Sequence, residues 1–575
     1  MTIIGIDLGT TNSLCAVFDG GEPRLVPNSL GNVLTPSVVG VLDDGQIVVG
    51  SAAKELRVTR PERCVSCFKR LMGSNEQVKL AGQTFTPPEL SSLVLRSLRE
   101  DAAKHLGGDV TDAVITVPAY FNDNQRQATK HAGMLAGLKV RRIVNEPTAA
   151  ALTYGFHDRS GAKRYLVIDL GGGTFDVTLM EVFEGTLEII ATAGENFLGG
   201  EDFTDRMVAH LLQSQGLQLE TAELREPVRV SRLRRLCEVA KLELTAADAA
   251  AIRLPDAQGQ LQPDGPTATI TRDDFGRLVE PLMTRLKQPV MKALRDGQLT
   301  PVDVDEVILV GGATRMPPVH DFVRQTLHKE PLCRFNPDEV VALGAAVQAA
   351  LITNDRAVDD LVMTDVCPFT LGVDTAKKLG DEIKAGYYTP IIHRNTTIPV
   401  SKEHAFSTIY PNQREVDIHV YQGEHRRVEM NFKIGELKVP GIPPGPAGQT
   451  IYIRFTYDLS GILEVEAYLP NSPQKFRTVL THNAVGLSKA ELDEAVRKLQ
   501  ALKYYPREDL ANQRLLRYCE RLVGEVSPFQ REQLEEAVDS FERALGSGES
   551  SQVEYAQQGL LEVLSALGFE YRSDS

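Results

Sequence analysis

Two glycine-rich turns are the features of this sequence whose residue types and spacing best suit a chemical role. Each follows an apolar run, first in Ile4-Gly-Ile-Asp-Leu-Gly-Thr-Thr and again in Leu166-Val-Ile-Asp-Leu-Gly-Gly-Gly-Thr. Glycines at a strand turn let backbone N–H groups approach an anion without a Cβ in the way. A single copy would more simply be a β-turn, but two copies with aspartate in register favour phosphate binding. The predicted phosphate contacts are Gly9, Thr10, Thr11, Gly171, Gly172, Gly173 and Thr174.

Carboxylates accompany both turns. Asp7 and Asp169 end the apolar runs, and Asp176 lies two residues beyond Thr174. Mg²⁺ prefers oxygen ligands and usually keeps several of its waters, so these three carboxylates suit a metal held largely through water. The sequence has no GxxxxGK[ST] motif, and the predicted phosphate site is therefore not a P-loop.

A third glycine turn, Gly311-Gly312-Ala-Thr-Arg315, follows the apolar run Val307-Ile-Leu-Val310 and precedes a helical pattern. The first N–H groups of a helix have no intrahelical partner and attract anions. We therefore expect this turn to place a helix N-terminus beside the same nucleotide.

The elements that must position these turns alternate between strand and helix from residue 1 to about residue 355. Strand-like runs at 114–117, 166–169 and 307–310 stop at Gly or Pro, and helical patterns cover 124–135 and 227–244. This alternation predicts an α/β architecture. The two hairpin motifs lie 162 positions apart, which suits two duplicated lobes.

The pattern changes near residue 355. Residues 356–365 form a short mixed acidic and apolar segment that suits a linker. Apolar residues then alternate with polar ones at 416–420 and at 451–457, and again at 463–469 after Asp458-Leu-Ser-Gly461, which predicts an antiparallel sheet with one wet face. From residue 487 the period becomes helical, with a capping box at Ser488-Lys-Ala-Glu491. Further helix starts at Ser527-Pro-Phe-Gln530 and Ser551-Gln-Val-Glu554 predict a bundle of about four helices.

Composition narrows the class of protein. A chain of 575 residues is too long for one hydrophobic core, so several domains are expected. The net charge of −15 argues against nucleic acid or an anionic membrane as the main partner. The absence of an apolar run of about 18 residues and of an export signal predicts a cytoplasmic protein without a membrane span. Reduced thiols explain the seven cysteines better than a redox or metal site at Cys64 and Cys67.

Six segments together resemble one family, the seventy-kilodalton heat-shock chaperones of the DnaK type, and within it the shorter HscC-like subgroup. They are Ile4–Asn12, Val117-Pro-Ala-Tyr-Phe-Asn-Asp123, Asn145-Glu-Pro-Thr-Ala-Ala-Ala151, Asp169–Val177, Phe197-Leu-Gly-Gly-Glu-Asp-Phe203 and Val307–Met316. The resemblance extends over the whole chain. It implies a multidomain protein with an α/β actin-like two-lobed ATPase domain (1–355), a linker (356–365), an antiparallel β-sandwich that binds peptides (366–486) and a truncated α-helical lid (487–575).

The resemblance also implies roles for residues of the ATPase domain, with ATP or ADP, Mg²⁺ and K⁺ as cofactors. Lys69 would orient the attacking water, and Glu146 would help to position that water. Thr174 would contact the γ-phosphate, while Asp7, Asp169 and Asp176 organise Mg²⁺ and its waters. The further nucleotide contacts are Asn12, Gly200, Glu238, Lys241, Thr245, Gly311, Gly312 and Arg315. Without the resemblance, Glu238 and Lys241 could equally be an ion pair on a helix face.

For the β-sandwich, the resemblance implies a pocket for an apolar client side chain and an arch over the client backbone. The pocket and arch residues are Val373, Thr375, Ala376, Phe406, Ile409, Val416 and Ile418. Taken alone, the aliphatic residues among them would be read as sandwich core. The implied partners are client polypeptides and a J-domain co-chaperone. The resemblance also allows a nucleotide exchange factor. The co-chaperone would engage Arg142, Asn145, Thr148 and Asp365.

Departures from the family pattern concern mainly client handling. Residues 377–390 look like an insertion beside the peptide site, and the small Ala376 faces the larger Ile409 across the arch. The polar Thr364 in the linker predicts weaker interdomain coupling, because docking would bury less apolar surface. Two alternatives share the paired hairpins, a small-molecule kinase of the sugar-kinase type and an ATP-dependent actin-like filament protein. Both leave residues 366–575 without a role.

Overall fold

The structure is a computed structural model. It describes residues 2–157, 162–183, 186–358, 362–379, 382–458, 461–470, 472, 474–480, 497, 507, 509–524, 526–546, 550–569 and 571. The chain divides into two compact units, Met1–Pro368 and Phe369–Ser575. The capping box predicted at 488–491 and residues 359–361 of the predicted linker lie outside the described residues. The bounds of the four predicted segments (1–355, 356–365, 366–486 and 487–575) stay predictions.

Strands and helices alternate through most of the first unit, as expected. Its strands are β1 (Ile3–Asp7), β2 (Asn12–Asp19), β3 (Glu22–Val26), β4 (Thr35–Pro36), β5 (Val38–Val41), β6 (Ile47–Val49), β7 (Cys64–Ser66), β8 (Val78–Leu80), β9 (Gln83–Phe85), β10 (Asp112–Val117), β11 (Lys139–Asn145), β12 (Ala162–Leu170), β13 (Phe175–Phe183), β14 (Thr186–Glu195), β15 (Ala249–Arg253), β16 (Thr267–Thr271), β17 (Glu306–Val310), β18 (Pro331–Leu332) and β19 (Val362–Val366). Its helices are α1 (Ser51–Thr59), α2 (Pro87–Leu106), α3 (Asp123–Leu135), α4 (Glu146–His157), α5 (Gly200–Gln213), α6 (Leu219–Arg225), α7 (Pro227–Glu243), α8 (Arg272–Asp296), α9 (Pro317–Leu327) and α10 (Val340–Thr353).

Two sheets of the first unit repeat one connectivity. In the first sheet, β1, β2 and β3 are successive antiparallel neighbours, and the parallel strands β10 and β11 extend the other side of β1. In the second sheet, β12, β13 and β14 form the same antiparallel meander, with β17 and β18 parallel on the far side of β12. The internal repeat predicted from the two hairpin motifs is therefore confirmed.

Close helix packing fixes the strand and helix ends that carry the candidate site. Helix α4 begins at Glu146 and packs against α10, where Gly344 lies so close to the Ala149 carbonyl that a Cβ would overlap it. Small residues therefore allow the two helices to approach at backbone distance. The surrounding core of aliphatic residues is fully buried, so the start of α4 is held firmly relative to both sheets.

Strand β19, within the segment predicted as a linker, lies parallel to β14. Val362, Met363 and Thr364 pair in register with Thr186, Leu187 and Glu188. The segment therefore adds a strand to the second sheet of the first unit through backbone hydrogen bonds, which do not depend on an apolar side chain at position 364.

The second unit contains two antiparallel sheets followed by helices. Its strands are β20 (Leu371–Leu379), β21 (Glu382–Ile392), β22 (Thr397–Ile398), β23 (Val400–Ser407), β24 (Glu415–Gln422), β25 (Phe432–Pro440), β26 (Thr450–Tyr457), β27 (Leu463–Tyr468) and β28 (Lys475–Leu480), and its helices are α11 (Leu510–Val523), α12 (Pro528–Ala544) and α13 (Ser550–Ala566). One sheet has the order β21-β20-β24-β25 and the other β23-β26-β27-β28. The predicted strands at 416–420, 451–457 and 463–469 and the helix start at Ser527 are confirmed, and the last helix begins at Ser550.

The prediction of one wet face is wrong for the second of these sheets. On β26 and β27 the polar residues Arg454, Thr456, Glu464 and Glu466 are buried along with their apolar neighbours. Hydrogen bonds between strands make this possible, because Glu403 accepts from Arg454 at 2.7 Å and from the Tyr468 hydroxyl at 2.5 Å. Alternating polarity cannot distinguish a hydrated face from a buried face whose polar groups bind one another.

Among the described residues, no helix combines the length and the apolar composition that crossing a membrane requires.

Candidate functional site

The two glycine-rich hairpins meet at one cavity in the first unit. Strand β1 ends at Asp7, and in the second hairpin Asp169 and Asp176 stand directly opposite each other in the β12–β13 ladder. The cavity wall also includes Gly311, Gly312 and Asp338. The cavity is also lined by hairpin residues and by predicted catalytic residues, namely Asp7, Gly9, Thr10, Thr11, Asn12, Lys69, Glu146, Asp169, Gly171, Gly172 and Thr174. The sequence motifs, though distant along the chain, therefore form one site.

The hairpins approach each other too closely for side chains at the turn. A Cβ on Gly172 would overlap the Thr11 side chain, and one on Gly173 would lie 2.5 Å from the Thr10 methyl group. The carbonyls of Gly171 and Gly172 accept backbone hydrogen bonds from Gly200 and Glu201 at the start of α5, at 2.9 Å each. Gly200 therefore positions the second hairpin through its N–H group.

Lys69 and Glu146 form a buried ion pair in the cavity wall. The Lys69 Nζ lies 2.6 Å from Glu146 Oε1, and both residues are at least nine-tenths buried. Lys69 lies in a 3₁₀ helix, Phe68–Leu71, and its Nζ is also 5.7 Å from the centre of the Phe121 ring. The lysine thus points inward, although its position in the sequence alone would suit an ordinary surface residue.

The aspartates carry the electrostatic signature of a cation site. Burial and repulsion from Glu146 raise the pKa of Asp7 to about 7 and that of Asp176 to about 8. The same causes raise the pKa of Asp169 well above its usual range. The three aspartates, Glu146 and Asp338 share this region with the Lys69 ammonium group, so a bound cation would reduce the repulsion between the carboxylates. These residues fit Mg²⁺ as a group.

The aspartates suit a Mg²⁺ ion that keeps its water ligands. Within the described parts of the chain, no three His, Cys, Asp or Glu side chains lie close enough together to hold a metal directly. Two of the three hairpin aspartates accept hydrogen bonds from the protein, Asp7 from Thr116 Oγ1 and Asp176 from the Tyr120 N–H, both at 3.2 Å. Such an arrangement suits an ion whose water ligands reach the remaining carboxylate oxygens.

A second cavity lies between α1 and α7. Glu238 lines it, and its carboxylate binds Lys54 Nζ at 2.9 Å and Arg235 at 3.2 Å. Lys241 does not pair with Glu238; its Nζ donates to the Gly200 carbonyl and to Thr204 Oγ1, both at 2.7 Å. The sequence allowed an ion pair between Glu238 and Lys241, but in the structure each of them binds other residues. No sequence pattern marks Lys54 as a partner of Glu238, which lies 184 positions away along the chain.

The remaining predicted nucleotide residues differ in their surroundings. Arg315 donates to Asp338 at 2.9 Å, and Asp338 lines the first cavity. Thr245 is half-buried, and its hydroxyl donates to the Leu242 carbonyl at 2.6 Å. The helix N-terminus expected directly after the third turn is displaced, because Gly312–Arg315 forms a 3₁₀ helix and α9 begins only at Pro317. The turn itself, with Gly311 at positive φ, still reaches the cavity.

The predicted coupling residues lie near the end of β11 and on β19. The Asn145 side-chain amide donates to Asp365 at 3.4 Å and accepts from Arg126 at 2.7 Å. Burial raises the pKa of Asp365, and the positive charges of Arg142 and Arg126 oppose that rise. Thr148 is buried on α4. The sequence did not identify Arg126, which bridges α3 to this group.

All seven predicted peptide-site residues line one cavity of about 490 Å³ in the second unit. Val373 and Ile418 are buried at its base, and Ala376 and Ile409 both reach it, as the predicted arch requires. The Thr375 and Thr389 hydroxyls share a hydrogen bond of 2.8 Å. Sequence reasoning missed His404 in the wall, whose ring meets the Phe406 ring edge to face at 4.9 Å.

A family model described as "Hsp70 protein" matches residues 3–79 and 74–564 of the chain. The match therefore extends from β1 to the last helix and includes every residue of the hairpin cavity and of the cavity in the second unit.

Proposed function

The chain belongs to the Hsp70 family of chaperones, and on this premise we propose that it hydrolyses ATP between its two glycine-rich hairpins. We further propose that the ATP cycle controls its binding of extended apolar segments of client polypeptides. The buried Lys69–Glu146 pair, in a cavity wall that also contains Asp7 and Asp169, is the observation that carries the ATPase part. The cavity beside Val373 and Ile418 supports the client part.

In the proposed reaction, the hairpin backbone and the hydroxyls of Thr10, Thr11 and Thr174 hold the phosphates. Mg²⁺, when bound through water to the aspartates, would neutralise the charge that develops on the transferred phosphoryl group. Lys69 Nζ orients the attacking water, and Glu146 holds the ammonium group in place at 2.6 Å. Phosphoryl transfer to water depends mainly on such positioning and on charge neutralisation.

Coupling between the two activities would run through the linker strand. β19 is held against β14 by backbone pairing, and its last residues bring Asp365 to Asn145, next to Glu146 of the catalytic pair. A J-domain co-chaperone that contacts Arg142, Asn145, Thr148 and Asp365 would therefore act close to the hydrolytic site. By thermodynamic reciprocity, client binding and nucleotide state should influence each other.

The proposal is tested by single-turnover hydrolysis of ATP by the full chain. A saturating apolar peptide and a cognate J-domain protein together should raise the hydrolysis rate, and an unchanged rate would contradict the coupling. Chelation of Mg²⁺ should abolish hydrolysis by the same chain. The K⁺ requirement, a nucleotide exchange factor, the HscC-like subgroup and the cytoplasmic location stay predictions.

A further inference from the structure

Three cations surround one aromatic ring beside the proposed client cavity. The centre of the Tyr387 ring lies 5.5 Å from Lys377 Nζ, 5.3 Å from Arg426 Cζ and 4.7 Å from Arg427 Cζ. Each cation is attracted to the ring, but the three also repel one another. We refer to Lys377, Arg426 and Arg427 as the basic cluster.

The basic cluster is only partly neutralised. Arg427 Nε lies 3.8 Å from Glu429 Oε1, which is a weak surface pair. Among the residues that the structure describes, no carboxylate pairs with Lys377 or Arg426, and both side chains are exposed. Two cations therefore remain available to an anionic partner.

Lys377 places one end of the basic cluster on a flank of the cavity, and Arg426 and Arg427 follow beside it at the Tyr387 ring. Lys377 and Ala385 line the cavity, and Tyr387 pairs with Thr375, which also lines it. The β20–β24 ladder ends at Val373, so the cavity opens where β20 continues alone with β21. A bound segment in this cavity would pass within reach of Lys377.

The opposite flank, on β24, carries the opposite charge. Glu415 and Asp417 line the cavity there, on either side of the inward-pointing Val416. Asp417 lies 3.8 Å from Lys438, whereas Glu415 makes no ion pair with any described residue. Asp374 also lines the cavity on β20, and its carboxylate lies 3.2 Å from His419 Nδ1. Among the described residues that line the cavity, the charges without an ion-pair partner are Lys377 on the β20 flank and Glu415 on the β24 flank, and this difference would give a bound segment a preferred arrangement.

We propose that the basic cluster is a specificity determinant, which selects client segments that carry a carboxylate side chain beside the apolar anchor residue. The carboxylate lies along the β20–β21 hairpin, while the anchor enters the cavity between Val373 and Ile418. This inference rests on the proposed function and adds the charge of the preferred client. Lys377 belongs to residues 377–390, which the sequence marked as an insertion, whereas Arg426 and Arg427 come from the loop between β24 and β25.

The test uses the full chain with ADP and short fluorescein-labelled peptides, each with one central leucine. Aspartate is compared with asparagine on the N-terminal side of the leucine in one series and on the C-terminal side in another. Binding is measured by fluorescence anisotropy at low salt and at high salt. We expect aspartate on one of the two sides to tighten binding roughly fivefold, the effect of one or two exposed ion pairs. High salt should remove most of this gain because the charges are exposed.

A double variant, Lys377→Gln with Arg426→Gln, should remove the aspartate gain, so that the aspartate and asparagine peptides of each series bind equally tightly. Arg477→Gln, which removes an exposed positive charge from β28 on the other sheet, should retain the gain. Equal binding of aspartate and asparagine peptides, or a gain that survives in the double variant, would overturn the inference alone. Failure of every peptide to bind while ATP still binds would overturn the client part of the proposed function, and the inference with it.

Discussion

Lys69 Nζ donates a hydrogen bond of 2.6 Å to Glu146 Oε1, inside a cavity wall that also contains Asp7 and Asp169. The two residues are 77 positions apart and come from a 3₁₀ helix and from the first turn of α4. The pair brings a buried ammonium group to the wall of the cavity that the predicted phosphate hairpins form. Under the proposed function this group serves the reaction, whereas the hairpins bind the nucleotide.

Replacing Lys69 should therefore impair the reaction more than binding. We expect Lys69→Ala to bind ATP with near-normal affinity and to hydrolyse it about 10²- to 10³-fold more slowly, because the attacking water loses its positioning group. Single-turnover hydrolysis and equilibrium binding of a fluorescent ATP analogue measure the two effects separately. Lys79→Ala, at an exposed position on β8, is the matched control. Equal turnover in the two variants would remove Lys69 from the catalytic set.

The Lys54–Glu238 ion pair joins α1 to α7 beside the second cavity. The Lys54 and Glu238 side chains are 30% and 29% exposed, so we expect the ion pair to contribute modestly to nucleotide affinity. We expect Lys54→Ala to speed release of a fluorescent ADP analogue about two- to fivefold in stopped-flow measurements. The swapped variant Lys54→Glu with Glu238→Lys should restore slow release. Lys287→Ala, at an exposed position on α8, is the control and should leave release unchanged. If Lys54→Ala releases the analogue no faster than this control, the proposed role of the ion pair is wrong.

Filling the client cavity should abolish peptide binding without affecting basal hydrolysis. Val416 lines the cavity opposite β20, and a phenylalanine there would occupy the space that an apolar client side chain needs. We expect Val416→Phe to weaken peptide affinity at least about tenfold, consistent with the loss of one buried aliphatic contact. Anisotropy in ADP measures affinity, and single-turnover hydrolysis without peptide is the control. Normal peptide affinity in this variant would place the client elsewhere.

Glu403 joins edge strand β23 to the helical part of the second unit. Its carboxylate accepts from Arg454, Tyr468 and Arg507, and its N–H donates to the Gly546 carbonyl at 3.1 Å. Removing one partner of a buried pair leaves an uncompensated charge, so Glu403→Ala should destabilise this region by about 3–5 kcal/mol.

Hydrogen exchange of the full chain can measure this loss at β23. Glu403→Ala should exchange faster there, and adding Arg454→Met should recover part of the protection, because the stranded charge is gone. Glu429→Ala, at an exposed carboxylate, should leave exchange at β23 unchanged. Normal protection in Glu403→Ala would show that the contacts of Glu403 contribute little to the stability of β23.

Thiol reactivity should follow burial. Burial raises the pKa of Cys15 and of Cys237 to about 12 and that of Cys67 to about 11. Partial burial also raises the pKa of Cys333, but its side chain is exposed and therefore accessible to reagents. The thiolate is the reactive form, and a raised pKa reduces its population at pH 8. Iodoacetamide labelling followed by mass spectrometry should therefore find Cys333 modified first. Faster modification of Cys67 would revive the redox interpretation of the Cys64–Cys67 pair.

Local patterns predicted the parts of the structure that depend on local chemistry. The hairpins, the duplicated sheets and the period-two strands follow from glycine turns and from polarity repeats. Family resemblance then placed seven residues on one cavity of the second unit. These features needed no knowledge of which side chains meet across the fold.

Contacts between distant segments were not predictable. Nothing around Lys54 marks it as a partner of Glu238, and the three cations at Tyr387 come from a hairpin and a separate loop. The alternating polarity of β26 predicts a hydrated face, but that face is buried. A sequence shows that Arg454 is charged, but it does not show that Glu403 will neutralise it. Such pairings depend on tertiary geometry, which overrides local pattern.

The contact between Gly172 and Thr11 has a consequence for how this site can evolve. Every amino acid other than glycine has a Cβ, and a Cβ at position 172 would overlap the opposing hairpin. All missense changes at this position are therefore expected to be harmful, whatever the new side chain. Selection for a different nucleotide affinity would have to act on more distant residues, such as those of α1 and α7, where side chains can be exchanged without separating the hairpins.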